Sequence, residues 1–189
     1  MQYPYHYLKF VWRQIGVCVF RAQLRLRTFL LKVMLMELYR VSFIGHSKIN
    51  NTRHIEKRLQ EILKNLIQTK EFVEFYIGRN GDFDILVASE IKKIQKLMGS
   101  QNSSLILVLP YQMKDGEYYE KYYDEIYYPI DSATHFKAAI TKRNQWMIDN
   151  SDLLIAFVKN DFGGAYTALK YAQKKGKRIV NIAMMSDDK

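Results

Sequence analysis

The sequence predicts an α/β domain, a Rossmann-like three-layer arrangement with a mainly parallel sheet, across Val41 to Ala183. Three observations carry this. Short apolar runs of strand length alternate with longer stretches of helical periodicity, the pattern of strand-helix-strand crossovers. Several apolar runs stop at Gly or Pro, as buried parallel strands do. Gly-containing loops recur just where strands end and helices begin, where such sheets bind ligands.

The elements follow in order. Val41–Ile44 (VSFI) runs into Gly45 and reads as the first strand. Ile55, Leu59, Ile62, Leu63, Leu66 and Ile67 then fall on one helical face, with Asn51 or Thr52 able to cap its start. Phe72–Ile77 (FVEFYI) is a second strand stopped by Gly78, and a helix from Asp82 to Met98 carries Val87, Ile91, Ile94 and Met98 as its stripe. Leu105–Leu109 is a third strand, closed by Pro110.

Between Tyr111 and Ser132 the periodicity lapses into a stretch with seven tyrosines. A short helix near Tyr118–Asp124 and an extended piece at Glu125–Tyr128 are expected there. A helix from about Thr134 to Asn150 then turns Phe136, Ile140, Met147 and Ile148 inward, with Trp146 expected in the core. Asp152–Val158 is a strand, Gly163-Gly164 opens a helix, and Lys177–Ala183 is the last strand.

Composition limits the function classes. Hydrophobic residues at 48% and charged residues at 25% describe an ordinary globular chain, so disorder is not expected over most of it. The single cysteine, Cys18, excludes an internal disulfide framework and a cysteine zinc site, and suits a cytoplasmic protein. His6, His46, His54 and His135 show no metal-ligand spacing, so no metal site is expected.

The net charge of +10 is uneven. Residues 1–40 hold seven cations against the acid Glu37, leaving the remainder mildly basic. Residues 1–38 read as a basic N-terminal extension and 39–185 as the domain. The extension lacks the roughly 18 consecutive apolar residues of a membrane span and the order of a secretory signal. Three readings stand for it: a basic amphipathic helix on an anionic membrane, a nucleic-acid arm, or an over-extended start ahead of Met36.

Three strand ends carry ligand-like loops. Gly45-His46-Ser47-Lys48 offers close backbone approach and donors to an anion. Gly78-Arg-Asn-Gly81-Asp82-Phe-Asp84 leads into a helix, and either cradles phosphate or uses Asp82 and Asp84 as caps or ribose ligands. Asp161-Phe162-Gly163-Gly164-Ala-Tyr-Thr167 presents backbone N–H groups at a helix start, with a hydroxyl from Thr167; the alternative is a tight turn needing glycine for geometry. Arg143 lies beside an apolar stripe and needs an anionic ligand or a carboxylate, with Asp149 and Asp152 as structural candidates. The tyrosines of residues 111–128 either stack on a ligand ring or form a half-buried surface.

These residues resemble a known group. Arg143-Asn-Gln-Trp-Met147, Asn150-Ser-Asp152, the LLIAFV run and Gly163-Gly164-Ala-Tyr-Thr167 are similar to the SLOG superfamily, and to its YpsA-like branch, a domain of unknown function. Phe43-Ile-Gly45-His46 and Gly81-Asp-Phe-Asp84 through Glu90 share that likeness. The resemblance implies a nucleotide-derived ligand, such as a nucleotide, NAD or an ADP-ribose-like molecule. It implies that Gly45, Gly81, Gly163, Gly164 and Thr167 line phosphates, that Arg143 neutralises charge, and that Asp84 or Glu90 serves the sugar. A homo-oligomer is left open.

Related Lonely Guy phosphoribohydrolases carry PGGxGTxxE with an arginine upstream. Arg143, Gly163, Gly164 and Thr167 match that pattern, whereas Phe162 stands at the proline, Tyr166 at the third glycine and Lys170 at the catalytic glutamate. An ammonium cannot replace a carboxylate that stabilises an oxocarbenium-like centre. Catalysis would need a relocated acid, for which Asp84, Glu90 and Asp131 are candidates.

Overall fold

A computed structural model describes residues 37–50, 52–112, 119–131 and 134–183, apart from the side chains of residues 136 and 137. The basic extension and its three readings lie outside the described residues. The chain runs β1 (Leu38–Gly45), α1 (Thr52–Thr69), β2 (Phe72–Ile77), α2 (Asp82–Met98), β3 (Ser103–Val108), β4 (Glu125–Tyr127), α3 (Phe136–Asp149), β5 (Leu153–Phe157), α4 (Gly163–Lys174) and β6 (Arg178–Asn181). The first strand starts earlier than its apolar run, because Leu38, Tyr39 and Arg40 also pair with β2.

All six strands are parallel, in the order β4-β3-β2-β1-β5-β6. Parallel sheets need cover on both faces. Alternation along the strands sends Val41, Phe43, Val73, Phe75, Leu105 and Leu107 into one core with α1 and α2. Ile44, Leu154 and Ala156 face α3 and α4, together with Ile148, Ala168 and Ala172. The α1 stripe buries Ile55, Leu59, Leu63, Leu66 and Ile67. A Leu59→Ala cavity at this layer would cost about 2–5 kcal/mol. The α2 stripe stops at Ile94, and Met98 is exposed rather than packed.

Several polar groups inside the strands are paired, although the buried Ser104 hydroxyl of β3 has no hydrogen-bond partner among the described residues. Glu74, buried in β2, accepts from Arg40 Nε at 3.1 Å and from the Tyr76 hydroxyl at 2.8 Å. Burial, and then the Glu74 charge, hold the Tyr76 phenol well above its usual range. Ser42 and Ser151 hydroxyls meet at 2.8 Å. In the tyrosine stretch, Tyr123 N–H bonds the Tyr119 carbonyl at 2.9 Å in a helical turn, and Asp124 Oδ2 accepts Leu105 N–H at 2.8 Å, guiding β4 to the sheet edge. Trp146 is half-buried between the Tyr76 and Tyr127 rings, at 5.6 and 4.8 Å, rather than fully in the core. No helix among the described residues is long and apolar enough to cross a membrane.

Candidate functional site

The chain lays β1 down first, builds β2, β3 and β4 outward on one side, then returns to place β5 and β6 on the other. The reversal falls between β1 and β5, whose last residues, Gly45 and Phe157, pair in register. Crevices of this kind receive ligands in open α/β sheets. A cavity of about 540 Å³ opens here, within the roughly 300–1,000 Å³ range of small-molecule sites. Its lining side chains include the cations Lys48, Arg143 and Lys159 and the acid Asp84, a balance that favours an anionic ligand.

His46 ties the two strand ends together. Its N–H bonds the Phe157 carbonyl at 3.3 Å, and its Nε2 accepts the N–H groups of Lys159 at 2.9 Å and Asn160 at 3.3 Å. An acceptor Nε2 carries no proton, so the ring is neutral with its hydrogen on Nδ1. Burial and the Lys159 charge keep its pKa below the usual histidine value. His46 is therefore foremost a brace for the loop after β5, and the expected donation to an anion is left to Nδ1 alone. Ser47 is likewise used through its backbone, its carbonyl accepting Asp82 N–H at 2.8 Å.

Arg143 forms the floor. It is 2% exposed, and its Nη1 donates to the Val108 carbonyl at 3.0 Å while its Nε is buried with no hydrogen-bond partner. Gly78 makes the room, since a Cβ there would overlap the guanidinium. The facing charge is Asp84, whose Oδ2 accepts Asn80 N–H at 2.8 Å. Burial raises the Asp84 carboxyl, opposed by the Asn80 N–H and the Arg143 charge; burial also lowers the Arg143 pKa, opposed by Asp84. Neither expected partner reaches Arg143. Asp149 takes the Tyr171 hydroxyl at 2.7 Å, and Asp152 accepts Arg40 N–H at 2.8 Å, because both lie toward the opposite ends of the strands.

Two helices begin near the cavity, neither with a side-chain cap, and they differ in what stands at the first turn. At α2, Asp82 N–H is taken by the Ser47 carbonyl, and the Asp82 and Asp84 carboxylates accept Ile49 and Asn80 N–H groups. One leading N–H of α2 is thus taken by protein and two acids stand in its first turn, the arrangement of the expected capping alternative rather than of an open phosphate cradle. Gly81 does not line the cavity; a Cβ there would overlap the Ser47 backbone. A Cβ on Gly45 would overlap Phe83. These glycines make room for protein atoms.

At α4 the N-cap residue is Phe162, with no side-chain cap and no acid in the first turn. The leading N–H groups of a helix have no intrahelical acceptors. Gly163 has φ of +88°, which favours glycine, and a Cβ on Gly163 or Gly164 would meet nothing within 4 Å. Gly163, Gly164 and Ala165 all line the cavity.

Several expected residues fall elsewhere. Thr167 does not line the cavity, and its hydroxyl donates to the Gly163 carbonyl at 3.1 Å. Glu90 is fully buried on α2, bonded by Gln60 Nε2 at 2.7 Å and by Lys93, because its stripe position points it toward α1. Asp131 does not line the cavity, nor does any described tyrosine of residues 111–128. Tyr123 instead accepts from Arg79 Nη1 at 3.2 Å, and Tyr127 packs on Trp146. Lys170 is exposed, with its Nζ 5.5 Å from the Tyr166 ring.

The sequence reading missed Asn80, Asn144, Lys159, Asn160 and Phe162 as lining residues. Lys159 and Asn160 lie just beyond the end of β5, so the strand-end rule alone would have found them. No group of three or more metal-ligating His, Cys, Asp or Glu side chains converges among the described residues.

Neither a sequence-family profile nor a curated protein matches the chain. Solved structures do. DNA processing protein A from Helicobacter pylori, described for its single-stranded DNA binding mode, is similar at 16% identity and a TM-score of 0.53, over 75% of this chain and 63% of that one. The same-named protein from Streptococcus pneumoniae is 13% identical with a TM-score of 0.57, over 82% of this chain and 54% of that one. This chain therefore spans less than two thirds of either. The molybdenum cofactor carrier protein from Chlamydomonas reinhardtii has 13% identity and a TM-score of 0.48, with 78% of each chain covered. The two bacterial structures share the fold of this chain.

Proposed function

We propose that this domain binds a phosphate-bearing, nucleotide-type ligand, a nucleotide, NAD or an ADP-ribose-like molecule, as a binding or sensing module. The observation that carries the reading is the uncapped start of α4, whose open glycines face a cationic cavity at the sheet's switch point. Phosphate gains from unpaired N–H groups and from the positive end of the helix dipole. In this reading the phosphate lies on Gly163, Gly164 and Ala165, Lys48 and Lys159 add charge, and Asp84 and Arg143 hold the sugar. The ordered motifs around Arg143, Asp152 and Gly163 support membership of the SLOG superfamily and its YpsA-like branch.

The test is a thermal-shift series on the full chain with nucleoside monophosphates, NAD, ADP-ribose and pyrophosphate. A ligand that binds the native state raises the melting temperature in proportion to the logarithm of its excess over Kd, by about 2.7 kcal/mol of stabilisation at a hundredfold excess. No rise with any of them would count against the reading.

A second reading, hydrolysis of a nucleotide N-glycosidic bond, is favoured by one observation. Asp84 is a buried carboxyl in the cavity, and burial pushes its pKa upward, the direction a general acid needs. Glu90 and Asp131 do not line the cavity, so Asp84 would carry the chemistry. Free base released from a nucleoside monophosphate, and lost in Asp84→Asn with binding retained, separates this reading from binding alone.

A further inference from the structure

We infer that Phe162 is the platform on which a flat ring of the ligand stacks, so that the cavity selects a nucleoside phosphate over a sugar phosphate. The inference rests on the phosphate reading of the α4 start and adds the ligand class that this start accepts.

Phe162 is 69% exposed, yet it lines the cavity and immediately precedes the open glycines. It occupies an N-cap position with extended backbone (φ −141°, ψ 166°), where Ser, Thr, Asp or Asn would bond the first turn. A phenyl ring cannot cap, so the N–H groups stay open, and it places apolar surface in water beside them. That combination fits a ligand with an anion at one end and an aromatic ring a short distance away.

The other aromatic candidates are occupied. Phe157 also lines the cavity, but it is 5% exposed, stacks on Phe83 at 5.7 Å and 19°, and has Lys159 Nζ 5.3 Å from its centroid. Phe43 is fully buried. The His46 ring is half-buried, edge-on to Phe157 and held by the Lys159 and Asn160 N–H groups, so Phe162 is the lining aromatic most open to a ligand ring. Stacking is tolerant of the base, because every base has a π-face. The cavity should accept purine and pyrimidine nucleotides alike, and discriminate against the same sugar phosphate without a base.

Isothermal titration of the full chain with adenosine monophosphate, cytidine monophosphate and ribose 5-phosphate tests this. The expected result is that both nucleotides bind about 5- to 100-fold more tightly than ribose 5-phosphate. Phe162→Ala should bring nucleotide affinity down to the ribose 5-phosphate level and leave ribose 5-phosphate unchanged, while Phe162→Tyr keeps the preference. A single-stranded oligothymidylate arm identifies the source: tighter binding of the strand, equally sensitive to Phe162→Ala, assigns the ring contact to a nucleotide within a strand. Equal binding of nucleotide and ribose 5-phosphate by the parent protein, or full nucleotide affinity in Phe162→Ala, overturns the platform and leaves the phosphate site standing. Absence of binding by the parent to all probes, pyrophosphate included, overturns both.

Discussion

The starts of α2 and α4 look alike as sequence and differ as chemistry. Each follows a strand, contains two glycines and opens toward the same crevice. At α2 the glycines are filled by protein: the Ser47 backbone lies where a Gly81 Cβ would be, and the Arg143 guanidinium where a Gly78 Cβ would be. The Asp82 and Asp84 carboxylates then supply negative charge from within the chain. At α4 the glycines border open space and no acid stands in the first turn. One helix start carries a protein acceptor and two acids, while the other carries neither. A glycine loop keeps room for a ligand only when its emptiness survives tertiary packing.

The comparison can be broken at α2 first. Asp84→Ala removes the acid that faces buried Arg143 and leaves Asn80 N–H without its acceptor, and an unsatisfied donor of this kind costs about 1–3 kcal/mol. Urea unfolding should report it; a loss below about 0.5 kcal/mol would show that Asp84 does not hold the α2 start. Next, Gly81→Ala pushes a methyl into the Ser47 backbone and should cost about 1–3 kcal/mol by overpacking. Gly164→Ala meets nothing and should change stability by no more than about 0.5 kcal/mol. Equal losses at the two glycines would dissolve the distinction between them.

A sharper variant gives α4 the cap it lacks. Phe162→Asp should raise stability by about 1 kcal/mol, since Asp is among the strongest N-cap residues, while reducing pyrophosphate affinity, because the new carboxylate occupies the same N–H groups. A stabilised variant with unchanged pyrophosphate affinity would move the anion away from α4. The smallest effect concerns the brace between the strand ends. The folded pKa of His46 is lowered, so its contribution is present above the unfolded value near 6.5 and is lost as pH falls through the lower folded value. Melting temperatures between neutral pH and pH about 5 should therefore fall more for the parent than for His46→Gln. Parallel curves would show that Nε2 is not the acceptor for Lys159 and Asn160.

Local pattern carried much of this molecule. β2, β3 and β5 were legible because strands buried on both faces read as apolar runs, and α1 because its stripe is regular. Arg143 was legible as a charge in want of a partner, since it interrupts an apolar face. Its partner was not legible, because Asp84 reaches it only through the packing of α2 against the sheet. The same holds for Glu90: sequence shows an acid near a glycine loop, but the helical phase that turns it onto Gln60 of α1 belongs to the interface between two helices. Phe162 was read as a departure from a proline and not as a lining group, because exposure beside a cavity is a tertiary property. The tyrosine stretch drew attention by number, yet Tyr119 and Tyr123 are spent on Arg79 and Tyr127 on Trp146.

The central position of β1 has a consequence for when the site can exist. Its Arg40 bonds Asp152, 112 residues later, and its Gly45 pairs with Phe157. A growing chain can assemble β1, β2, β3 and β4 long before β5 is available, and contacts of such sequence separation form slowly. One wall of the crevice is therefore missing until β5 has been made. An emerging chain holds half a crevice, and the proposed phosphate contact would form only once β5 and the first turn of α4 have left the ribosome.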